Sequence, residues 1–495
     1  MNSLKKRREL GLFQALIIGL GGAIGIEVFV LLNVAIRQAG YTIVLVLLVC
    51  GLVNLLTMLS FSELGAAVPE VGGEYSYAKA AFGGFLAFLT GWLRWISNVF
   101  GAALAAIGFS LHVLLLAQTS LSPLDQSLLV AFLSVSVIAA LAALSIRGTK
   151  QIGTTIVVAF IAVFLVFIAA GIWRGLEPRP FLPTDLKQSS GFITAITYSF
   201  LMFLGMRAIA SGSATLKNPG KNIPRAIVLS AIMLIVLYSG IAYVTISTVS
   251  LEELANPDVL PLTLAAEKAL GKVGGYVLTV AGVVAALSSL STSMMVQSSI
   301  ARGLSRDGYF PKFLLSTHKR FGTAHLAIIF GSVFYILFAA TGVVEFIGSV
   351  AVFASLLGFA LVNFSLLRLR MKKPYMQRPF RVPLYPYTPI AGIALSFILL
   401  LFIDPSAFSL GIAFIGLGVL AYYLRMVGHQ RIRIAFGGMS LGIGFSIALL
   451  TYLIEIGFLL PLSIHQQFRI AVIYVLVVAS TVSILAGALN IMSKI

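Results

Sequence analysis

Two short segments of the chain combine glycines with a charged side chain inside an apolar stretch. Residues 19–27 contain four glycines and end at Glu27, and residues 203–213 contain two glycines and Arg207. Glycine weakens a helix by up to about 1 kcal/mol relative to alanine. A charged side chain at the centre of a bilayer costs about 2.5–3.5 kcal/mol on insertion scales. Both segments are therefore typical of helices that come apart at mid-membrane and hold a small charged solute with free backbone groups and helix dipoles.

The composition places these segments in a polytopic membrane protein. Of 495 residues, 59% are hydrophobic and 10% are charged, whereas an ordinary soluble domain carries about 25% charged residues. A transmembrane helix needs about 20 mostly apolar residues, and the pattern predicts about fourteen such helices. They are placed at 12–36, 42–69, 82–116, 127–146, 152–173, 191–214, 226–249, 273–303, 324–343, 346–367, 388–403, 407–424, 434–457 and 470–492.

The formal net charge is +18, and the Lys and Arg residues are distributed along the chain as membrane topology predicts. If residues Lys5–Arg8 are cytoplasmic, 25 of the 34 Lys and Arg residues fall in cytoplasmic connections and six fall outside. This asymmetry obeys the positive-inside rule, and an even number of spans then places both termini in the cytoplasm of a plasma-membrane protein. The basic loops also suit contact with anionic membrane lipid. We expect no nucleic acid partner, and the sequence leaves the oligomeric state open.

The residue types that catalysis or metal binding requires are not clustered in the sequence. The five histidines are scattered without metal-ligand spacing, and no phosphate-binding loop or nucleophile motif is present. Cys50 is the only cysteine and cannot form an internal disulfide. We therefore expect neither an enzyme nor a protein with a resident metal or cofactor.

The two glycine-containing segments lie in the first and sixth predicted spans, which are five spans apart. Because five is an odd number, a repeat of five spans would be inverted in the membrane. Broken helices at matching positions of an inverted repeat indicate a transporter site near the midplane. We expect one five-helix unit at residues 1–180, a second and inverted unit at 181–370, and four further helices at 371–495.

Four loop motifs follow one another between the predicted spans. They are Ser62–Leu64 with Pro69–Tyr77, Lys217–Pro219 with Ile223–Ile227, Ala301–Pro311, and Arg378–Pro383. In order, they resemble the patterns E-L with P-x-x-G-G-x-Y-x-Y, K-N-P with I-P-x-A-I, R-D-G-x-x-P, and R-P-F-R-V-P of amino acid permeases of the amino acid–polyamine–organocation superfamily. The resemblance covers roughly residues 10 to 390. It implies an all-α membrane protein with an inverted 5+5 repeat core, discontinuous helices 1 and 6, and here four C-terminal helices.

The chain departs from the family at both glycine-containing segments. Family members read I-G-x-G-I-F in the first span, where free amides hold a substrate carboxylate, but residues 24–29 of this chain read I-G-I-E-V-F. In the sixth span, the glutamate of the family's F-x-G-x-E is matched by Arg207. The resemblance implies a substrate site at the matching positions of the two spans. Those positions are Gly22, Ala23, Ile24, Gly25, Ile26, Glu27, Phe203, Gly205, Arg207 and Ala208.

The two departures are complementary in charge. Glu27 and Arg207 would each be costly alone in the bilayer, and a hydrogen-bonded pair would offset much of that cost. We therefore predict a central ion pair between them, with Arg94 of the third span as another candidate partner for Glu27. The pair would either fasten the broken helices together or open so that one member binds substrate.

Two hypotheses describe ion coupling. Sodium-coupled relatives in the wider superfamily hold the ion between carbonyls of the broken first helix and hydroxyls of the eighth. The resemblance therefore implies a sodium site at the carbonyl of Ala23 and at Ser288, Ser291 and Thr292, which lie on one face of the eighth span. Such hydroxyls more often bond the carbonyl of the preceding turn. Alternatively, Glu27 could carry a proton, as an embedded carboxylate in a transport pathway.

These features together indicate a secondary transporter that moves amino acids or related amines by alternating access. One alternative is a transporter of inorganic cations or chloride on the same scaffold. Another is a transporter-like sensor that binds without turnover. The sequence leaves open which solute is moved, and whether transport is uptake or exchange.

Overall fold

A computed structural model describes residues 10–68, 72–117, 123–147, 154–175, 186–255, 260–426 and 432–455, with six further residues between 476 and 484. The described chain is helical apart from its connections and an isolated bridge between Leu10 and Leu216. The α-helices are α1 (Leu12–Ala23), α2 (Ile26–Ala39), α3 (Ile43–Ala67), α4 (Glu74–Ala81), α5 (Gly84–Ala117), α6 (Pro123–Ile146), α7 (Thr154–Trp173), α8 (Leu186–Ser199), α9 (Arg207–Ser211), α10 (Pro219–Thr248), α11 (Leu251–Ala255), α12 (Pro261–Leu270), α13 (Lys272–Arg306), α14 (His325–Ala339), α15 (Val344–Lys372), α16 (Tyr387–Leu400), α17 (Pro405–Met426) and α18 (Ile432–Glu455).

Nine helical segments within the described residues are long and apolar enough to cross a membrane. Shorter apolar helices accompany them, including α1, α14 and α16. The chain is therefore an integral, multi-pass membrane protein. The count of fourteen spans and the inverted repeat stay predictions, since most of the last span, at 470–492, lies outside the described residues. The basic cluster at Lys5–Arg8 also lies outside them.

The chain divides into two compact units. The first comprises Met1–Arg306 and Lys312–Ile403, and the second comprises Asp307–Pro311 and Asp404–Ile495. Both glycine-containing segments belong to the first unit. The domain boundaries at residues 180 and 370 stay predictions, because they concern repeats within that unit.

Small residues allow the helices of the first unit to pack closely. The long helix α5 packs against α13 and α15, and α3 packs against α10. Gly108 of α5 faces Ile26 and Val30 of α2, and a Cβ at this glycine would overlap the Ile26 side chain. In a membrane, close approach of this kind replaces the hydrophobic effect as a source of helix association.

The first predicted span is interrupted, as its glycines indicate. Helix α1 ends at Ala23, and Ile24 (φ −80°, ψ 84°) and Gly25 (φ −129°, ψ −165°) leave the helical conformation before α2 begins at Ile26. The chain thus places a helix C-terminus and a helix N-terminus beside each other. Each end carries backbone groups without intrahelical partners.

The sixth predicted span differs from the expectation that it comes apart. Helix α8 is followed by a 3₁₀ helix at Phe200–Met206 and then by the short helix α9, which ends in a turn at Gly212. The side chains of this 3₁₀ helix are almost all buried. An apolar surrounding cannot satisfy open backbone groups, so the segment narrows to i→i+3 hydrogen bonding instead of unwinding.

Candidate functional site

The interruption of the first span touches the 3₁₀ helix of the sixth, backbone against backbone. A Cβ at Gly205 would overlap the backbone of Gly22 and Ala23, and a Cβ at Gly22 would lie 3.0 Å from the Gly205 carbonyl oxygen. Only glycine at position 205 permits this approach. Three of the predicted site residues are thus brought together, and Gly22 is exposed at the contact.

Tyr238 of α10 joins the two segments from a third side. Its hydroxyl donates a hydrogen bond to the carbonyl of Ala23 at 2.8 Å and lies 3.3 Å from the carbonyl of Met202. The ring is fully buried and packs edge-on against Phe203, with ring centroids 5.4 Å apart. The carbonyl at the end of α1 therefore has a protein partner. Sequence reasoning missed Tyr238, because only the packing of α10 brings it to the interruption.

The N-terminus of α2 is occupied by side chains of the protein itself. The Ile26 N–H donates to the hydroxyl oxygen of Ser289 at 3.2 Å. The Glu27 carboxylate and the Ser289 hydroxyl both lie beside Gly25, since a Cβ at this glycine would overlap each of them. A carboxylate is favoured at this end of a helix, where the helix dipole is positive. Glu27 remains partly exposed, so the site presents a carboxyl group at the interruption.

The predicted ion pair between Glu27 and Arg207 is wrong. Arg207 is the first residue of α9 and lies 3.5 Å from the carboxylate of Glu74, the first residue of α4. Arg94 of α5 lies 3.5 Å from the same oxygen, so it too pairs with Glu74. The reason is geometric, because α9 directs its first side chain to Glu74, which lies in the connection between α3 and α5.

The cluster of Glu74, Arg94 and Arg207 combines one carboxylate with two guanidinium groups. The Glu74 side chain is 4% exposed, and those of Arg94 and Arg207 are 16% and 10% exposed. The Arg94 Nη1 atom is buried without a hydrogen-bond partner. Sequence analysis placed Glu74 in a loop motif rather than at a site. Two arginines within predicted spans are the sequence signal that could have indicated a buried acid near them.

A second buried carboxylate explains two of the family-like motifs. Glu63 of α3 accepts hydrogen bonds from Arg370 of α15, and its second oxygen also accepts the Val382 N–H at 2.7 Å. Arg378 lies 3.3 Å from the same carboxylate. Burial lowers the pKa of Arg378, and the negative charge of Glu63 opposes that change. The E-L and R-P-F-R-V-P motifs therefore hold helices together.

The ion site at Ala23, Ser288, Ser291 and Thr292 stays a prediction, and the hydroxyl of α13 that reaches the interruption belongs to a neighbouring residue. Ser289, which was not among the predicted ion-site residues, is the residue of α13 whose hydroxyl reaches α2. Ser288 and Ser291 are partly exposed, and Thr292 is exposed. Of the remaining predicted site residues, Ile24 is buried and Ala208 is partly exposed.

Comparison with known proteins agrees with this architecture. Residues 10–427 match the model of the family described as amino acid permease. The chain is 26% identical to the branched-chain amino acid permease BcaP of Bacillus subtilis (strain 168), over 86% of this chain and 94% of that protein. From the same organism, a methylthioribose transporter is 28% identical, over 86% of this chain and 94% of that protein. The serine/threonine exchanger SteT is 27% identical, over 86% of this chain and 98% of that protein.

The match spans both glycine-containing segments and all four loop motifs, and it covers far more than half of the chain. The matched proteins are transporters, so the chain is a transport protein and not an enzyme. It belongs to the amino acid permease family.

Proposed function

We propose that this protein is a secondary transporter of amino acids or related amines, with the substrate held where the α1–α2 interruption meets the 3₁₀ helix at Phe200–Met206. The observation that carries the proposal is the backbone contact of Gly22 and Gly205 beside the partly exposed carboxylate of Glu27. Irregular backbone and a charge at membrane depth are tolerated where they line a polar site.

The relatives support a small organic solute. Their names give branched-chain amino acids, serine or threonine, and methylthioribose as the transported compounds. The scaffold therefore carries solutes of different chemistry. For this chain we therefore propose a small organic solute as the transported compound, without naming a single compound.

The cycle we propose is alternating access, in which the helices around the interruption rock against the remaining helices. By the positive-inside rule, the connection between α3 and α5 is cytoplasmic. The cluster of Glu74, Arg94 and Arg207 then lies on the cytoplasmic side of the interruption and joins α4, α5 and α9. We assign it the role of holding that side closed in this conformation, and its contacts must break when the site opens inward.

Uptake into liposomes tests the function. The purified protein is reconstituted and given radiolabelled amino acids and amines under an imposed Na⁺ gradient, an imposed pH gradient, or neither, with and without solute inside. Saturable uptake of an organic solute supports the proposal, and the effective gradient identifies Na⁺ or H⁺ coupling or exchange. Binding without flux would indicate a sensor, and flux of inorganic salt alone would indicate an ion transporter.

A variant at Gly25 tests the site. A Cβ there would overlap the Glu27 carboxylate and the Ser289 hydroxyl, so Gly25→Ala should raise the KM of uptake at least tenfold. Gly101→Ala is the matched control, because a Cβ at Gly101 meets nothing within 4 Å. Equal KM values in the two folded variants would place the substrate elsewhere.

The proposed topology has both termini in the cytoplasm of the cell membrane. Cys50 is the only cysteine and is buried, so Cys50→Ala gives a background without thiols. Single cysteines at Lys5 and Lys494 should then react with impermeant maleimide only after the cells are opened. Labelling of intact cells at either position would overturn this topology.

A further inference from the structure

Two backbone donors in the first turn of α2 are satisfied by the protein, and the Glu27 carboxylate lies beside them. The Ile26 N–H donates to Ser289, and the Val28 N–H lies 3.4 Å from the Gly25 carbonyl oxygen. A Cβ at Gly25 would overlap the Glu27 carboxylate. A helix N-terminus with free N–H groups would bind an anion. Here the side chain of Glu27 already places a carboxylate beside Gly25, so a ligand carboxylate would meet a like charge at this position.

Within the part of the chain that the structure describes, the Glu27 carboxylate has no cationic partner. Arg94 and Arg207, the two arginines predicted as its partners, pair with Glu74 instead. Among the ion pairs that the described ranges form, none includes Glu27. The group is nevertheless partly exposed at the interruption. An embedded charge without a counter-charge is costly, and a cation bound beside it would offset that cost.

From these two observations we infer that Glu27 takes the place of a substrate carboxylate and that the substrate is an organic amine. The ammonium group of the substrate pairs with Glu27, and no carboxylate accompanies it at the N-terminus of α2. The inference rests on the proposed transport function and on the same site. It selects amines from the broader class of amino acids and amines.

A second carboxylate would be repelled at this position. An amino acid entering with its carboxylate toward α2 would meet the like charge of Glu27 at the place where free N–H groups hold a substrate carboxylate in the family. An amine of the same side chain lacks that repulsion and keeps the attraction of its ammonium. Matched pairs, such as leucine with 3-methylbutylamine and phenylalanine with 2-phenylethylamine, therefore separate the two kinds of substrate.

The test compares these pairs by isothermal titration and thermal shift on the purified full-length protein. We expect at least tenfold tighter binding of an amine than of its amino acid. Because this comparison uses the unaltered protein, it needs no variant to fold. Tighter binding of the amino acid, or equal binding of both, would overturn the inference while leaving the transport function standing.

Variants at position 27 sharpen the result. Glu27→Gln should weaken binding of the amine at least tenfold. Glu27→Gly removes the side chain that covers the N–H groups, and it should bind leucine more tightly than the wild type does. Glu252→Gln is the control, since Glu252 is an exposed acid of α11 and its replacement should change neither ligand. Amine binding that is unchanged in Glu27→Gln would also overturn the inference.

The test also distinguishes this inference from the proposed function. If no organic solute enters liposomes, the transport function fails. If Na⁺ alone gives a thermal shift that depends on Glu27 while no amine binds, the carboxylate serves an inorganic cation and the amine inference fails. If amines bind and enter liposomes in a Glu27-dependent way, both stand.

Discussion

Replacing Gly205 with alanine tests the backbone contact on which the site depends. A Cβ at Gly205 would overlap backbone atoms of Gly22 and Ala23, and backbone cannot turn away as a side chain does. The reciprocal change is milder. A Cβ at Gly22 would lie 3.0 Å from the Gly205 oxygen, about 0.5 Å short of an ordinary contact of about 3.5 Å. We expect Gly205→Ala to cost about 3 kcal/mol of stability and Gly22→Ala about 1 kcal/mol, at the two ends of the range for overpacking.

The assay is thermal unfolding of each purified variant in the same detergent, followed by tryptophan fluorescence. Gly101→Ala is the control, because it adds a methyl group within α5 where a Cβ meets nothing within 4 Å. Alanine is the better helix former, so this control should match or exceed the wild type. The expected order of stability is Gly101→Ala, wild type, Gly22→Ala and Gly205→Ala. A Gly205→Ala protein as stable as the control would refute the close contact.

Two further predictions concern charged groups. Glu74→Gln leaves Arg94 and Arg207 facing each other without a carboxylate and should cost about 3 kcal/mol, whereas Arg207→Gln leaves a balanced pair and should cost less. Thermal unfolding measures both, and the reverse order would contradict a shared carboxylate. On the surface, the side-chain hydrogen bond from Lys268 is the main cause that lowers the pKa of Glu253 from 4.5 to about 2. The resulting stabilisation is fully present above pH 4.5 and is lost as the pH falls toward about 2. Hydrogen exchange of residues 251–255 should show this loss. Lys268→Met should reduce the pH dependence without removing it, because the hydrogen bonds from Ser250 to Glu253 remain. A dependence as large as that of the wild type would contradict this origin.

The membrane class, the interruption of the first span and the family were all accessible from the sequence. Each depends on local properties, namely apolar run length, the helix-weakening effect of glycine in residues 19–27, and short motifs in fixed order. A glycine-rich segment with an acid loses helical stability wherever it lies. The prediction of an interruption at Gly25 therefore did not require knowledge of what packs against it.

The partners of the embedded charges were predicted incorrectly, because pairing depends on where distant helices direct their side chains. Complementary charge suggested Glu27 with Arg207, yet both arginines of the cluster meet Glu74. The sequence placed that acid in a connecting loop. An embedded charge indicates that an opposite charge lies nearby, but the sequence does not identify which residue the packing brings close to it.

The conformation of the sixth span was also decided by packing. Like the first interruption, this segment combines glycine with a charged side chain, but it forms a 3₁₀ helix whose side chains are almost all buried. The same local weakness therefore gives an open interruption where Ser289 and Tyr238 satisfy the backbone at Ile26 and Ala23, and a 3₁₀ helix at Phe200–Met206. The sequence by itself determined where the helices are weak and which charges are embedded. Tertiary structure alone decided which groups satisfy them, because hydrogen-bond partners from α10 and α13 are more than 200 residues away along the chain.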